Sequence, residues 1–371
     1  MATTPFERRT RDAQAALDDA AADALVCFPS RNLSYLSGFS EEPGERHLFF
    51  FVPADGDPVF LVPELYEEQV RAATWIDDVR TWADDDDPVT ATAAAVEALD
   101  LPDEPHVLFD DTMWAAFTQD LRAVLSDATF GLASEVVSLL RIRKDDAELD
   151  ALRRAGDTAD EAMDAVRALG SDAIGMTESE LAARVESLLS EAGGNGTSFE
   201  TVVGAGSHGA MPHYRHGDRT IQPGDPVVLD FGTRVDGYPS DQTRTVVFDG
   251  EPSDRFREVH DVVREAQQAA VDAAEPGVTA ESIDRAAREV IEAAGYGDRF
   301  VHRTGHGVGL DVHEEPYIVE GNDRELEPGM VFSVEPGIYL PDEFGVRIED
   351  LVVVTEDGCE RLNDSDHGWE C

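Results

Sequence analysis

The fold of this chain is decided by residues 331–354, which read VFSVEPGIYLPDEFGVRIEDLVVV. Two apolar runs flank a turn at Pro341–Gly345, a pattern that predicts an antiparallel hairpin. Each run carries an acid where apolar residues are expected, Glu335 at the end of the first and Glu349 just before the second. We expect the two carboxylates to face each other approximately across the hairpin, where like charges repel.

A second hairpin of the same kind occurs earlier in the chain. The apolar run Val227–Phe231 contains Asp230, a turn follows at Val235–Tyr238, and Asp241 leads into the return strand Thr243–Phe248. Folding about that turn places Asp230 and Asp241 roughly opposite one another. Buried like charges are costly unless they are compensated. Four carboxylates that converge in one core therefore predict a bound cation.

His306 lies in a glycine-rich segment, Gly305–Gly309, and adds a nitrogen ligand to this predicted site. The neighbouring glycines leave the imidazole unobstructed and let backbone approach closely. Four carboxylates carry a charge of about −4, which two divalent metals cancel. Oxygen-rich ligation with one imidazole suits Mn²⁺, Co²⁺ or Zn²⁺ alike. The sequence thus predicts a two-metal centre held by Asp230, Asp241, His306, Glu335 and Glu349.

The chain around these hairpins divides into two predicted domains. Residues 1–137 alternate short apolar strands with helices, which predicts an α/β domain. Residues 138–371 contain two helices followed by a hairpin, twice over. This order predicts an α+β domain built from two similar halves, related by an internal pseudo-twofold. Thr177 with Glu180 indicates a capping box at the start of one of these helices.

Charge is the unusual bulk property of the 371 residues. Acids outnumber bases 78 to 29, the net charge is −49, and Lys144 is the only lysine. Charge spread along the whole chain indicates adaptation to high salt, where counterions screen self-repulsion. An acidic partner-binding protein is an alternative, although such charge normally occurs in blocks. The negative field argues against nucleic acid as a ligand.

The cysteines and the apolar segments predict a location. Cys27, Cys359 and Cys371 are few and scattered, which argues against a disulfide framework and for a reducing compartment. The first residues lack the apolar segment of a signal peptide. No run of about 18 apolar residues, the length of a membrane span, is present. We therefore expect a soluble, cytoplasmic protein.

The carboxylate and histidine motifs resemble those of the Xaa-Pro peptidases, the prolidase and aminopeptidase P group of the pita-bread metallopeptidases. In chain order these motifs are Leu229–Gly232, Ser240–Thr245, Gly305–His313, Val334–Tyr339 and Val346–Asp350. Residues Arg31–Phe39 also resemble the amino-terminal domain of these enzymes and of creatinase. The resemblance implies a creatinase-type N-terminal domain and a pita-bread catalytic domain. It also implies metal-dependent hydrolysis of the peptide bond before proline, and a homodimer.

The same resemblance implies roles for further residues. His213, and His313 seven residues after His306, would serve the reaction without binding metal. They would polarise the scissile carbonyl and stabilise the tetrahedral intermediate. Glu335 would take a proton from the attacking water, which the two metals activate. Arg347 would orient a carboxylate through its planar guanidinium. The motifs leave open whether the substrate is an Xaa-Pro dipeptide or a longer peptide.

Two other functions remain possible on the same fold. A non-catalytic pita-bread protein would bind partners, but such proteins typically lack metal ligands, and all five are present here. A creatinase-like, metal-dependent amidohydrolase would act on a small compatible solute in a salt-adapted cell. Hydrolysis of Xaa-Pro peptides with Mn²⁺ or Co²⁺ present distinguishes a peptidase from both.

Overall fold

A computed structural model describes residues 4–371, which form two compact units that divide between Arg141 and Ile142. The boundary predicted after residue 137 falls within the last helix of the first unit. The elements of this unit are α1 (Pro5–Asp19), β1 (Ala24–Cys27), α2 (Arg31–Ser37), β2 (Phe49–Pro53), β3 (Val59–Pro63), α3 (Glu67–Ala73), β4 (Asp78–Trp82), α4 (Pro88–Glu97), β5 (His106–Phe109), α5 (Ala115–Val124), β6 (Thr129–Leu132) and α6 (Ser134–Arg141).

A six-stranded mixed sheet in the order β4-β3-β2-β1-β5-β6 forms the centre of the first unit. Strand β1 pairs antiparallel with β2 and parallel with β5. Phe49, Phe51 and Val107 are buried between the sheet and its helices. The apolar runs predict four of these strands but not β6 or β4, in which Asp78 and Arg80 are polar. The α/β character predicted for this part of the chain is confirmed.

The second unit carries both carboxylate hairpins. Its first half consists of α7 (Asp146–Arg167), α8 (Glu178–Glu191), β7 (Val202–Ala205), β8 (Val227–Phe231), β9 (Arg234–Val235), β10 (Tyr238–Pro239) and β11 (Gln242–Val246). Its second half consists of α9 (Asp254–Asp272), α10 (Ala280–Ala293), β12 (Gly305–Gly307), β13 (Glu314–Ile318), β14 (Val331–Val334), β15 (Gly337–Leu340), β16 (Phe344–Arg347), β17 (Asp350–Val354) and β18 (Cys359–Arg361). Within residues 4–371, none of the helices could serve as a transmembrane span.

The two halves of the second unit repeat one arrangement, as the sequence predicts. Strands β11-β8-β7 form an antiparallel sheet, and β12-β14-β17 form the corresponding centre of a five-stranded sheet. Helices α7 and α8 cover the first sheet through a core that includes Leu181 and Leu229. Helices α9 and α10 cover the second through a core that includes Phe256 and Phe332. The predicted capping box of Thr177 begins α8.

The register of the first hairpin is set by a tight turn at Asp236-Gly237. Both residues have positive φ, 49° and 87°, which is the backbone of a two-residue type I′ turn. The register that begins at this turn pairs Asp230 with Thr243. Asp241 precedes Thr243 by two residues and therefore lies diagonal to Asp230. Asp230 and Asp241 were expected roughly opposite one another, and the register instead places them one diagonal step apart.

The strands of the second hairpin are interrupted at residues 335–336 and 348–349, and their pairing keeps the same register on both sides of this interruption. Strands β15 and β16 pair Gly337 with Arg347, and β14 and β17 pair Val334 with Asp350. Glu335 and Glu349 lie opposite each other at the interruption, as the sequence predicts. The Glu349 amide instead donates to the carbonyl of Thr243 at 3.1 Å. This bond joins the two hairpins at the point where their carboxylates converge.

Candidate metal centre

One cavity of about 690 Å³ in the second unit is lined by every side chain predicted to bind metal or serve the reaction. Asp230 lies on β8, His306 lies in the middle of β12, and each of the other three acids lies one residue outside the end of a strand. The lining side chains predicted from the sequence are Asp230, Asp241, His306, Glu335, Glu349, His213, His313 and Arg347.

Three groups that could hold one metal ion lie together in a buried part of the cavity. Ligand atoms of Asp241, His306 and Glu349 all lie within 4.8 Å of one another, and each residue is less than 5% exposed. His306 Nε2 lies 3.6 Å from Asp241 Oδ2 and 3.3 Å from Glu335 Oε1. Ligands that share one ion lie about 3 to 3.5 Å apart, because each lies about 2.1 Å from the metal. Separations of 3.3 and 3.6 Å are close to this range, so these groups could share one ion.

The tautomer of His306 also fits a cation bound beside the carboxylates. Its Nδ1 lies 3.2 Å from the carbonyl oxygen of Gly307, which can only accept a hydrogen bond. Nδ1 therefore carries the proton, and Nε2 presents its lone pair to the two carboxylates. Burial, and after it the charge of His313, lowers the pKa of His306 to about 3, so the ring is neutral. A lone pair that faces carboxylate oxygens fits a cation bound between them.

The carboxylates are unstable as neighbours without added positive charge. Burial raises the pKa of Asp241 and of Glu349 well above their usual values, and the charges of the neighbouring acids raise both further. Burial also raises the pKa of Glu335 to about 7. The Oδ1 atom of Asp230 is buried and has no hydrogen-bond partner among residues 4–371. These residues fit a site for divalent cations.

Hydroxyl groups and one guanidinium orient the acids. Thr243 donates to Glu349 Oε2 at 2.6 Å, and Ser333 donates to Glu335 Oε1 at 3.2 Å. Arg347 donates to Asp230 Oδ2 at 2.5 Å and, through another nitrogen, to the Thr243 hydroxyl at 3.0 Å. The roles of Thr243 and Ser333 were not predicted from the sequence. Ser333 is a polar residue inside an apolar strand, which is the signal that identified the acids, whereas Thr243 lies in the polar run Gln242–Thr245 and gave no such signal.

Some histidines of the second unit line the cavity, and others near it contact residues outside its lining. The rings of His313 and His306 lie 4.1 Å apart, centroid to centroid. His302, which is not among the predicted catalytic residues, also lines the cavity. Its Nε2 atom lies 2.9 Å from the hydroxyl oxygen of Tyr339. Burial lowers its pKa to about 4. Two further histidines near His213 contact other groups: His208 contacts Glu178, and His216 contacts Ser179.

Residues 150–356 match the model of metallopeptidase family M24, and residues 9–143 match that of the creatinase/prolidase N-terminal domain. The chain belongs to metallopeptidase family M24. Its cavity is therefore the candidate active site of a metallopeptidase, and the resemblance seen in the sequence motifs is confirmed at the level of the family. The predicted fold, a creatinase-type domain followed by a pita-bread domain, is confirmed as well.

Relatives of this M24 metallopeptidase are similar over nearly its whole length. An Xaa-Pro dipeptidase of Lactobacillus helveticus is 42% identical, with 90% of each chain covered. A prolidase structure from Thermococcus sibiricus superposes with a TM-score of 0.93 at 36% identity, with 99% of each chain covered. A dipeptidase structure from Mycobacterium ulcerans superposes with a TM-score of 0.91 at 40% identity, covering 100% of this chain and 98% of the other.

Proposed function

We propose that this M24 metallopeptidase hydrolyses the peptide bond that precedes proline, with Xaa-Pro dipeptides as its substrates. The convergence of four carboxylates and His306 on one cavity wall carries the proposal, because it supplies a metal site beside space for a small peptide. The names of the similar relatives, Xaa-Pro dipeptidase and prolidase, support the same substrate class. A longer Xaa-Pro peptide remains the second candidate, since an X-Pro aminopeptidase structure from Thermotoga maritima is 31% identical.

We infer that two divalent ions, Mn²⁺, Co²⁺ or Zn²⁺, are held by Asp230, Asp241, His306, Glu335 and Glu349. When bound, such ions would lower the pKa of water to near neutrality and polarise a carbonyl group. Glu335 is the proposed proton acceptor, because it lies in the same cavity beside the other proposed ligands.

His213 and His313 line the same cavity and would donate to the oxygen that develops negative charge. Burial lowers the pKa of His313, so its neutral ring can donate through one nitrogen only. Arg347 would act by holding Asp230, to which it donates. Proline lacks the backbone N–H that most peptidases bind, which explains why a dedicated site is needed.

The metal assignment is tested by replacing Asp230 with Asn. We expect Asp230→Asn to lose both bound metal and peptidase activity, because its orphaned Oδ1 atom would no longer carry charge. Asp218→Asn is the matched control, since Asp218 is exposed and lies outside the lining of the cavity. Metal content is measured by elemental analysis of the purified variants. Full activity in Asp230→Asn would refute the assignment.

The substrate assignment is tested with Xaa-Pro dipeptides and Xaa-Pro-Yaa tripeptides, across the three metals and in molar salt. We expect cleavage of the dipeptides. Cleavage of tripeptides alone would overturn the dipeptidase assignment. Failure to cleave any Xaa-Pro peptide would favour the amidohydrolase of a small compatible solute.

We also propose the domain limits 1–137 and 138–371, a homodimer, a salt-adapted source and a cytoplasmic location. The net charge of −49 supports salt adaptation, and three free cysteines support a reducing compartment. Light scattering at several protein concentrations tests the dimer. Urea unfolding in dilute buffer and in molar KCl tests salt adaptation, which predicts greater stability in KCl.

A further inference from the structure

Lys144 is the only lysine among the 29 lysine and arginine residues of the chain. Its side chain is 1% exposed and donates to Glu314 Oε1 at 2.8 Å and to the carbonyl of Ile142 at 3.3 Å. The Glu314 side chain is only 12% exposed. Taking two charges out of water is costly, and a salt-adapted surface has no need of this pair. The buried pair therefore points to a specific role for a compact ammonium group at this position, which the larger, planar guanidinium of arginine would not reproduce.

Glu314 directly follows His313 and begins β13, where it pairs with Gly307. A Cβ atom on Gly309 would lie 2.2 Å from Glu314 Oε1. The carboxylate is therefore packed against the backbone of the loop that runs from Gly307 to His313. This loop joins the strand that contains His306 to His313. The imidazole rings of these two histidines lie 4.1 Å apart, centroid to centroid. A shift of the Glu314 carboxylate would release the loop that sets this ring contact.

The backbone of Lys144 is anchored independently of its side chain. Its amide donates to the carbonyl of Gly329 at 2.9 Å, and the neighbouring Arg143 forms a β-bridge with Met330. These contacts lie at the entry to β14, the strand that leads to Glu335. Substitution of the Lys144 side chain therefore leaves the path of the chain in place and removes only the ammonium.

We propose that Lys144 is a positioning residue whose ammonium, through Glu314, holds the loop Gly307–His313 so that His313 faces the cavity beside His306. The proposal rests on the proposed function, in which His313 contacts the substrate. Without the ammonium, the Glu314 carboxylate would lose this ion pair at a site that is nearly closed to solvent, and the pair would no longer fix its position against the loop. The larger guanidinium of arginine would have to be accommodated at a site that is closed to solvent, which displaces the same loop.

The kinetic test compares Lys144→Met and Lys144→Arg with Arg143→Met, at equal bound metal. Arg143 is the matched control because its ion pair with Glu327 is exposed, at 58% and 51%. We expect kcat to fall about 10- to 100-fold in both Lys144 variants, with KM little changed, as for groups that orient active-site residues. Arg143→Met keeps the wild-type kcat. Wild-type kcat in folded, metal-loaded Lys144→Met would overturn the proposal.

A double-mutant cycle tests whether the two charges act as one unit. Glu314→Gln and Lys144→Met are measured alone and together. We expect the double variant to be no slower than the slower single variant, because each change removes the same interaction. Losses in kcat that multiply would show that the residues act separately and would overturn the linkage.

The single lysine also allows a test that does not depend on catalysis. Protein labelled with ¹⁵N only at lysine Nζ gives one side-chain ammonium signal in an NMR spectrum. We expect this signal to shift when Zn²⁺ is added and again when proline is added. A signal unmoved by both would overturn the proposal. If the wild-type protein hydrolyses no Xaa-Pro peptide, the proposed function fails, and the Zn²⁺ arm alone still decides whether Lys144 is coupled to the metal cavity.

Discussion

Replacing Arg244 with Met removes a buried cation that ties both carboxylate hairpins to the C-terminal residues. The Arg244 side chain is 1% exposed, and its ion-pair partner Asp350 is fully buried. The guanidinium donates five hydrogen bonds of 2.6 to 3.2 Å, to Asp350 Oδ1 and to the carbonyls of Thr243, Glu349, Ser365 and Asp366. Two of these carbonyls belong to residues that orient or form the metal site.

Two overlapping estimates of the loss, both of which include the contact with Asp350, agree. Breaking a buried ion pair by removing one partner costs about 3 to 5 kcal/mol. Five hydrogen bonds at about 1 kcal/mol net each give about 5 kcal/mol. Asp350 keeps Gln267, Arg361 and His367 as partners, which limits the loss at the carboxylate itself. We therefore expect Arg244→Met to lower the free energy of unfolding of the second unit by about 3 to 5 kcal/mol.

The free energy of unfolding is measured by urea unfolding of the metal-free protein. Hydrogen exchange, read on the peptides that contain β11 and β17, reports the unfolding of this part of the second unit. Arg153→Met is the matched control, because its ion pair with Glu360 is 39% and 44% exposed. An exposed pair is worth about 1 kcal/mol or less. A loss in Arg244→Met as small as that of Arg153→Met would refute the reasoning that burial determines the value of the pair.

Three further changes test other parts of the structure. His260 is 1% exposed, and burial, with nearby positive charges, lowers its pKa from 6.5 to about 4. The contribution of neutral His260 to stability is therefore complete above pH 6.5, and the free energy of unfolding falls by on the order of 3 kcal/mol as the pH is lowered to 4. His260→Leu should largely remove this pH dependence in urea titrations. Gly305→Ala would place a Cβ 1.8 Å from the carbonyl of Ser333, so we expect weaker Zn²⁺ binding by calorimetry, whereas Gly44→Ala meets open space and should bind normally. Asp241→Asn should lower the number of bound metals measured by elemental analysis, and an unchanged stoichiometry would exclude Asp241 as a ligand.

The candidate site could be predicted from the sequence because an acidic residue inside an apolar strand is unusual. Asp230 and Glu335 interrupt apolar strands, where a carboxylate has no local reason to occur. The caps and apolar spacing that define the helices are equally local, so Thr177 and Glu180 could be read directly. These signals extend over a few residues, which is the range over which sequence pattern determines backbone structure.

The partners of the buried charges could only be known from the tertiary structure. Lys144 and Glu314 are 170 residues apart, and Arg244 and Asp350 are 106 apart. In a chain with 78 acids, nothing in the local sequence separates Glu314 or Asp350 from an acid on the surface. The same holds for the diagonal placement of Asp230 and Asp241, because the turn sets the register. The sequence by itself determined which residues form the candidate site, and the packing of distant strands decided what holds them there.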